Sequence, residues 1–164
     1  MVENNLFEHV REEELESPGS VLALYALGMK ALRNGDLEVA NAFFLRALEQ
    51  NPNDGYARSG LVAYHYAKDE LKEAEELALG LLQDDPGDLY HHRMLCWIYV
   101  KQYKHEDAKR AIEQALSIDP TDEHIWETLL FHNRKNASTM EQIEACRNLL
   151  SLNSDNYHAH LYMG

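Results

Sequence analysis

With only two cysteines, Cys96 and Cys146, in 164 residues, no disulfide framework is possible. No uninterrupted apolar run approaches the length needed to cross a bilayer, which excludes membrane insertion. The opening stretch, MVENNLFEHVREEELESPGS, is acidic and has no apolar core, so it does not read as a secretory signal. Basic residues are scarce as well. Fifteen Lys and Arg face 28 Asp and Glu, for a net charge of -13. Affinity for nucleic acid comes largely from neutralising phosphates with Lys and Arg, so nucleic acid is excluded as a partner. Together these absences imply a reduced, cytoplasmic protein.

Catalytic signatures are missing too. There is no G-x-S-x-G, no H-E-x-x-H, no P-loop and no dinucleotide fingerprint, so no catalytic residues and no cofactor are expected. The nine histidines do not form a metal pattern. His91 and His92 are adjacent, His158 and His160 are two apart, and no pair has the spacing of four that sets two ligands on one helix face. The acidic runs REEELE and KEAEE read as solvated helix faces. Disorder is nevertheless excluded, because hydrophobic residues make up 45% of the chain.

Proline is the informative scarcity. The chain has four, Pro18, Pro52, Pro86 and Pro120, each 34 residues after the last, and Ser154 takes the next place in the series. Two residues beyond each stand Ser20, Asp54, Asp88, Asp122 and Asn156. All five are residues whose side-chain oxygen can accept from the unpaired N–H groups of a helix start. One local event therefore recurs: a helix stops, proline prevents its continuation, and a capped helix begins. Four units follow, 21–54, 55–88, 89–122 and 123–156, flanked by a preceding segment over 1–20 and the opening of a fifth unit over 157–164.

Each unit carries two apolar helical patterns around a short break. In the first, VLALYALGMKAL passes through RNGD into LEVANAFFLRALEQ. Gly35 suits a tight turn and Asp36 suits a cap for the second helix. In the fourth, Ser138 and Glu141 have capping-box spacing. A loop this short makes the two helices antiparallel neighbours. No stretch alternates apolar and polar residues for long, so no sheet is expected.

This unit resembles the tetratricopeptide repeat. The first unit carries the family's pattern as Leu24, Leu27, Gly28, Ala31, Gly35, Ala40, Phe44, Ala47 and Pro52, and the third as Leu95, Cys96, Tyr99, Ala108, Ile112, Ala115 and Pro120. The second keeps Leu61, Ala74 and Pro86 but has Ala78 where an aromatic is usual. The fourth is degenerate. After Trp126 and Leu129 it has Asn133 for the aromatic, Gln142 for the alanine and Ser154 for the proline. The resemblance implies an all-α, right-handed α-solenoid of tandem helix-turn-helix repeats. It also implies that Cys96 and Cys146 lie where paired helices pack, as inert thiols. A solenoid needs a polar outer face at its ends, so the unfinished fifth unit implies a fragment of a longer protein.

In this family the first helix of each pair lines a concave face, with repeat places 2, 5, 9, 12 and 13 pointing into it. Aromatics on that set are Tyr25, Tyr56, Tyr66, Tyr90, Trp97 and Phe131, with Met29 among them. Its cations are Arg33, Arg93, Lys101, Arg134 and Lys135, against a single acid, Glu127. Aromatics and arginine are the residue types that anchor partners. The expectation is therefore a scaffold or adaptor binding a protein or peptide partner in an aromatic, locally basic groove. The same residues have a structural reading, in which a ring packs on the next unit and a cation pairs with a loop acid. A family subclass that clamps carboxylate-ended chaperone tails uses Lys, Asn, Asn, Lys and Arg. Tyr25, Met29 and Gly60 stand at its corresponding places here, which argues against that clamp. Two further readings remain: a recognition or regulatory segment of a larger glycosyl- or sulfotransferase or hydroxylase, and a scaffold that self-associates through its open C-terminal end.

The degenerate unit yields a prediction. Gln142 and Asn133 put amides where the pattern wants small or aromatic groups, and a buried polar group without partners costs roughly 1–3 kcal/mol. Repeats couple mainly to their neighbours, so a weak one opens by itself. Amide exchange is expected to be faster over 123–164 than over 55–122. Equal protection along the chain would refute this.

Overall fold

Asn51, Asp85, Asp119 and Asn153, each just before the proline place, organise the junctions between units. Their Oδ1 atoms accept from the backbone N–H two residues on, at Asn53, Gly87, Thr121 and Asp155, over 3.3, 3.1, 2.8 and 3.1 Å. A backbone bond closes each turn from the N–H of Asp54, Asp88, Asp122 or Asn156 to the carbonyl three residues before it. Those four residues then cap the next helix, with Oδ1 accepting from Ala57, His91, Ile125 and Ala159 at 2.8, 3.0, 3.1 and 3.0 Å. Ser20 does the same for Ala23 at 3.2 Å. Each such cap is worth about 1 kcal/mol.

The computed structural model describes residues 19–136 and 139–163. Among these the chain is all α, with nine helices and no strand: α1 Val21–Asn34, α2 Leu37–Gln50, α3 Gly55–Ala67, α4 Leu71–Asp84, α5 Leu89–Lys101, α6 His105–Ile118, α7 Glu123–Asn136, α8 Thr139–Leu152 and α9 Tyr157–Met163. The segment before Gly19 and the Ser138 half of the capping box lie outside the described residues, as does the side chain of Glu141.

Within three of the pairs the turn is left-handed at one place. Gly35 has φ +84°, and Asp69 and Tyr103 occupy the equivalent positions at +66° and +59°. Glycine takes this conformation freely, while a tyrosine there carries strain held by the surrounding helices. Asp36 departs from expectation: its side chain makes no cap bond to α2. The turn is closed instead by backbone bonds from Gly35 to Leu32 at 3.0 Å and from Asp36 to Ala31 at 2.9 Å.

Two compact units divide the chain, Met1–Leu81 and Leu82–Gly164. In the first, Phe44 of α2 is fully buried against both α1 and α3. A Cβ added to Gly28 would stand 2.3 Å from the Phe44 ring, and one added to Gly60 would stand 2.4 Å from it. The ring occupies the volume two side chains would otherwise fill. Tyr25, Ala31, Ala40 and Tyr64 complete this cluster. In the second unit, Leu130, Ala145, Cys146, Leu149 and Ala159 form the corresponding core of α7, α8 and α9. Nitrogen-bearing side chains also reach back over its junctions. Trp126 Nε1 donates to the Pro120 carbonyl at 2.8 Å, and His92 and His160 approach the carbonyls of Pro86 and Ser154 at 2.9 and 2.7 Å.

Volume is traded across each helix pair at one pair of equivalent positions. Small Gly28 faces large Phe44, and the other units hold Val62 with Ala78, Cys96 with Ile112, and Leu130 with Cys146, all buried. Interiors packed to crystal density require such compensation. The alanines Ala40, Ala74 and Ala108 are fully buried where α2, α4 and α6 need small side chains, whereas Gln142 at that place in α8 is only half-buried.

Gly28→Leu should therefore overpack the Phe44 site and cost about 1–3 kcal/mol of stability by chemical denaturation. Gly28→Val combined with Phe44→Ala restores the Val62–Ala78 arrangement and should cost less than the two single changes added together. Strict additivity, or a neutral Gly28→Leu, would show that the ring does not set the helix approach.

Candidate functional site

The candidate surface is the exposed face of the first helices, α1 and α3 in one compact unit and α5, α7 and α9 in the other. On the first, Tyr25 is 3% exposed and supports its neighbours from within. Its ring lies 5.5 Å from Tyr56 and 6.2 Å from Phe44, centroid to centroid. Tyr56 is half exposed, so a buried ring backs an accessible one. Met29 packs against the same core from a partly buried position, and Tyr66 is half-buried.

On the second, Phe131 is 47% exposed and its ring meets His158 edge to face at 5.6 Å. Trp97 is half-buried, and its Nε1 donates to Thr128 Oγ1 at 3.0 Å, which fixes the indole against α7. Tyr90 is half-buried, and burial pushes its hydroxyl up to about 12, so it stays a neutral donor at physiological pH. Lys101 is exposed. The side chains of Arg134 and Lys135 lie outside the described residues.

Arg93 is engaged internally. Its Nη1 donates to Asp122 Oδ2 at 3.3 Å, with both side chains largely buried. Asp122 is also the cap of α7, so one carboxylate serves the helix start with one oxygen and the arginine with the other. The next unit repeats the device with other chemistry: Asn156, cap of α9, donates from Nδ2 to Glu127 Oε1 at 3.1 Å. The fifth residue of a first helix thus ties to the cap of the following one. The sequence signal was a pair 29 residues apart, Arg93 with Asp122 and Glu127 with Asn156, which is visible only once the units are aligned.

Other titratable side chains serve as structural latches. At the α3–α4 turn, Lys68 Nζ donates to Tyr64 Oη at 3.0 Å and meets Glu70 Oε1 at 3.1 Å. His65 Nδ1 lies 2.7 Å from the other Glu70 oxygen. These donors, His65 first, hold the Glu70 carboxyl below its ordinary range, and the hydroxyl of Tyr64 and the Glu70 carboxylate hold Lys68 above its own. Among the described residues no three His, Cys, Asp or Glu side chains are placed to hold one metal ion. No helix there is long and apolar enough to cross a membrane.

Comparison with known proteins gives a consistent picture. The family model described as tetratricopeptide repeat matches residues 31–98, and a second of the same description matches 94–122. The human protein O-mannosyl-transferase TMTC1 is 27% identical over 166 residues, covering 99% of this chain and 19% of that protein. This chain therefore spans about a fifth of that relative's length. Among solved structures, Pseudomonas aeruginosa pilF superposes with a TM-score of 0.78 at 22% identity, covering 87% of this chain and 65% of that one. TTC0263, a TPR protein of Thermus thermophilus, gives 0.76 at 19% identity, with 88% and 84% covered. These structural likenesses show the fold.

The two thiols offer a direct check on the packing beneath this surface. Both are buried, and burial pushes Cys96 up to about 12 and raises Cys146. A thiol whose folded value is raised stabilises the fold below the ordinary thiol range, and that contribution is lost as pH rises toward the folded value. Iodoacetamide at pH 8 is expected to leave both cysteines unmodified in the native protein and to alkylate both in denaturant. Rapid native alkylation of Cys96 would contradict the packing of α5.

Proposed function

We propose that this chain, which belongs to the tetratricopeptide repeat family, is a non-catalytic binding module whose first-helix faces take a peptide segment of a partner protein. One observation carries the reading: Tyr56 and Phe131 stand about half exposed on those faces, each backed by another ring. A rigid aromatic whose rear is already packed loses little entropy on binding and offers a large contact area. Trp97 and Met29 extend the same chemistry, and Tyr25 acts beneath it. Peptide recognition of this kind reads apolar anchors first.

Charge has a smaller part in this reading than composition suggests. Arg93 is paired within the chain; Lys101, Arg134 and Lys135 are further cations of the set proposed to meet acidic groups of a partner. Binding should then depend only weakly on salt, since apolar contacts are not screened.

The similarity to O-mannosyl-transferase TMTC1 over nearly the whole chain supports a second reading, in which these repeats recognise substrates or partners for a larger transferase. The coding sequence on either side of the 164 residues distinguishes the two: flanking catalytic segments favour the second, and their absence favours a separate adaptor.

The binding test uses peptides selected from a random displayed library on the full chain. Tyr56→Ala or Phe131→Ala should weaken a selected peptide by about 2 kcal/mol or more, as expected for a hot spot. Val39→Ala on α2, exposed away from these faces, should leave affinity unchanged. If neither aromatic substitution alters binding while Val39→Ala does, the first-helix faces are not the site.

A further inference from the structure

The hydrogen bond from Trp97 to Thr128 belongs to a closed relay. The indole Nε1–H donates to Thr128 Oγ1 at 3.0 Å, and that hydroxyl donates in turn to the His124 carbonyl at 2.7 Å. A hydroxyl has a single proton, so toward the indole the threonine can act only as an acceptor. Thr128 is buried, and the one polar group of the indole is thereby committed inside the protein. A threonine that bonds back to the carbonyl four residues earlier adds little to a helix, so its presence here calls for another account. Place by place along the repeat, Thr128 corresponds to Ala26, Gly60, Met94 and Tyr162, and Trp97 to Met29, Ala63 and Phe131. The ring N–H and the small hydroxyl that accepts from it therefore occur together, in this one register.

The tie sets where the indole stands. Thr128 and Phe131 are three residues apart on α7, hence neighbours on its surface. Holding the edge of Trp97 at Thr128 brings the indole beside the turn of α7 that carries Phe131, whose ring is 47% exposed. Trp97 is half-buried, so part of its ring is open to a ligand. An untethered indole samples several rotamers and must lose that freedom when a ligand packs on it, whereas one held by a hydrogen bond has lost it beforehand. The same bond removes the N–H from recognition, so the held ring offers apolar surface alone. A polar ligand group packed there would be left without a partner, and an aliphatic one meets no such cost.

We infer, building on the peptide-binding reading above, that Thr128 is a positioning residue that holds the Trp97 indole ready beside Phe131 as an apolar platform, and that the bound segment lays an aliphatic side chain on it. Specificity at this point then comes from a residue the ligand does not touch. A tryptophan at an interface can bind through both its ring and its N–H. Here the fold takes the N–H and leaves the ring.

The test is a titration of the full chain followed by nitrogen-edited NMR. The probes are an acetylated, amide-ended alanine pentapeptide with a central leucine and its counterpart with a central asparagine, which has the same main chain and nearly the same side-chain shape. The Trp97 indole N–H and the Phe131 amide should move, with the Trp126 indole N–H, held by the Pro120 carbonyl, as the unmoved reference. The leucine peptide should bind roughly tenfold tighter than the asparagine peptide. Thr128→Val keeps the side-chain shape and removes the acceptor. It should weaken the leucine peptide roughly fivefold and speed hydrogen exchange of the Trp97 indole N–H. Thr128→Ser brings the acceptor back and should restore binding. Trp97→Phe has no N–H to hold, so in that chain Thr128→Val and Thr128→Ser should bind equally. Movement of Phe131 with the Trp97 indole unmoved, undiminished leucine affinity in Thr128→Val, or asparagine bound as tightly as leucine would overturn this inference and leave the aromatic face standing. Silence at Trp97 and Phe131 alike would overturn both. If Thr128→Val does not fold, native affinity of Trp97→Phe for the leucine peptide overturns the inference instead.

Discussion

In the first compact unit everything is arranged around the ring of Phe44. It sits where Gly28 of α1 and Gly60 of α3 leave space, at distances no added Cβ could tolerate. A helix of 13 or 14 residues is marginal by itself in water, so α1, α2 and α3 persist because this contact and its surrounding cluster bury their apolar sides. The two glycines weaken their helices locally, and the buried aromatic more than offsets that. Tyr25 closes the cluster on one side and carries Tyr56 on its outer face, so the same packing that holds the helices also positions the accessible ring.

The second compact unit reaches the same architecture with other means. Cys96 with Ile112 and Leu130 with Cys146 redistribute the volume that Gly28 and Phe44 divide so unequally. Its junctions are reinforced by polar ties: Arg93 to Asp122, Glu127 to Asn156, and Trp126, His92 and His160 to the carbonyls at the preceding proline place. Because the junction cassette closes its own backbone bonds, the helices can change composition from unit to unit. That freedom lets exposed residues vary on the first-helix faces while the frame is kept.

Polar groups on these faces therefore have two employers. Arg93 holds a junction through Asp122, and Asp122 caps a helix while neutralising that arginine. The proposed binding surface would, built this way, gain rigidity from the scaffold and limit the electrostatic part of recognition. The strongly acidic composition then matters mainly through long-range repulsion of acidic molecules, a rate effect more than an affinity effect.

The sequence by itself determined the repeat. Proline at a period of 34 and an Asx or Ser two residues later act through φ restriction and local capping bonds, which depend on near neighbours alone. The helices start accordingly at Val21, Gly55, Leu89, Glu123 and Tyr157. The left-handed turn was legible at Gly35, whose lack of a Cβ permits it, and illegible at Asp69 and Tyr103, where neighbouring helices impose it. Which residues of each first helix share the outward face was an expectation carried by the resemblance to the tetratricopeptide repeat, not by the period itself. What each face residue does was decided only by tertiary structure. Tyr25 and Tyr56 look alike as residues, yet one is buried and the other half exposed, because only Tyr25 lies over the Phe44 ring. Arg93 reads as a free cation until the fold brings Asp122, 29 residues later, to its guanidinium. Contacts between residues that far apart depend on how helices pack, and packing is a property of all the side chains at once.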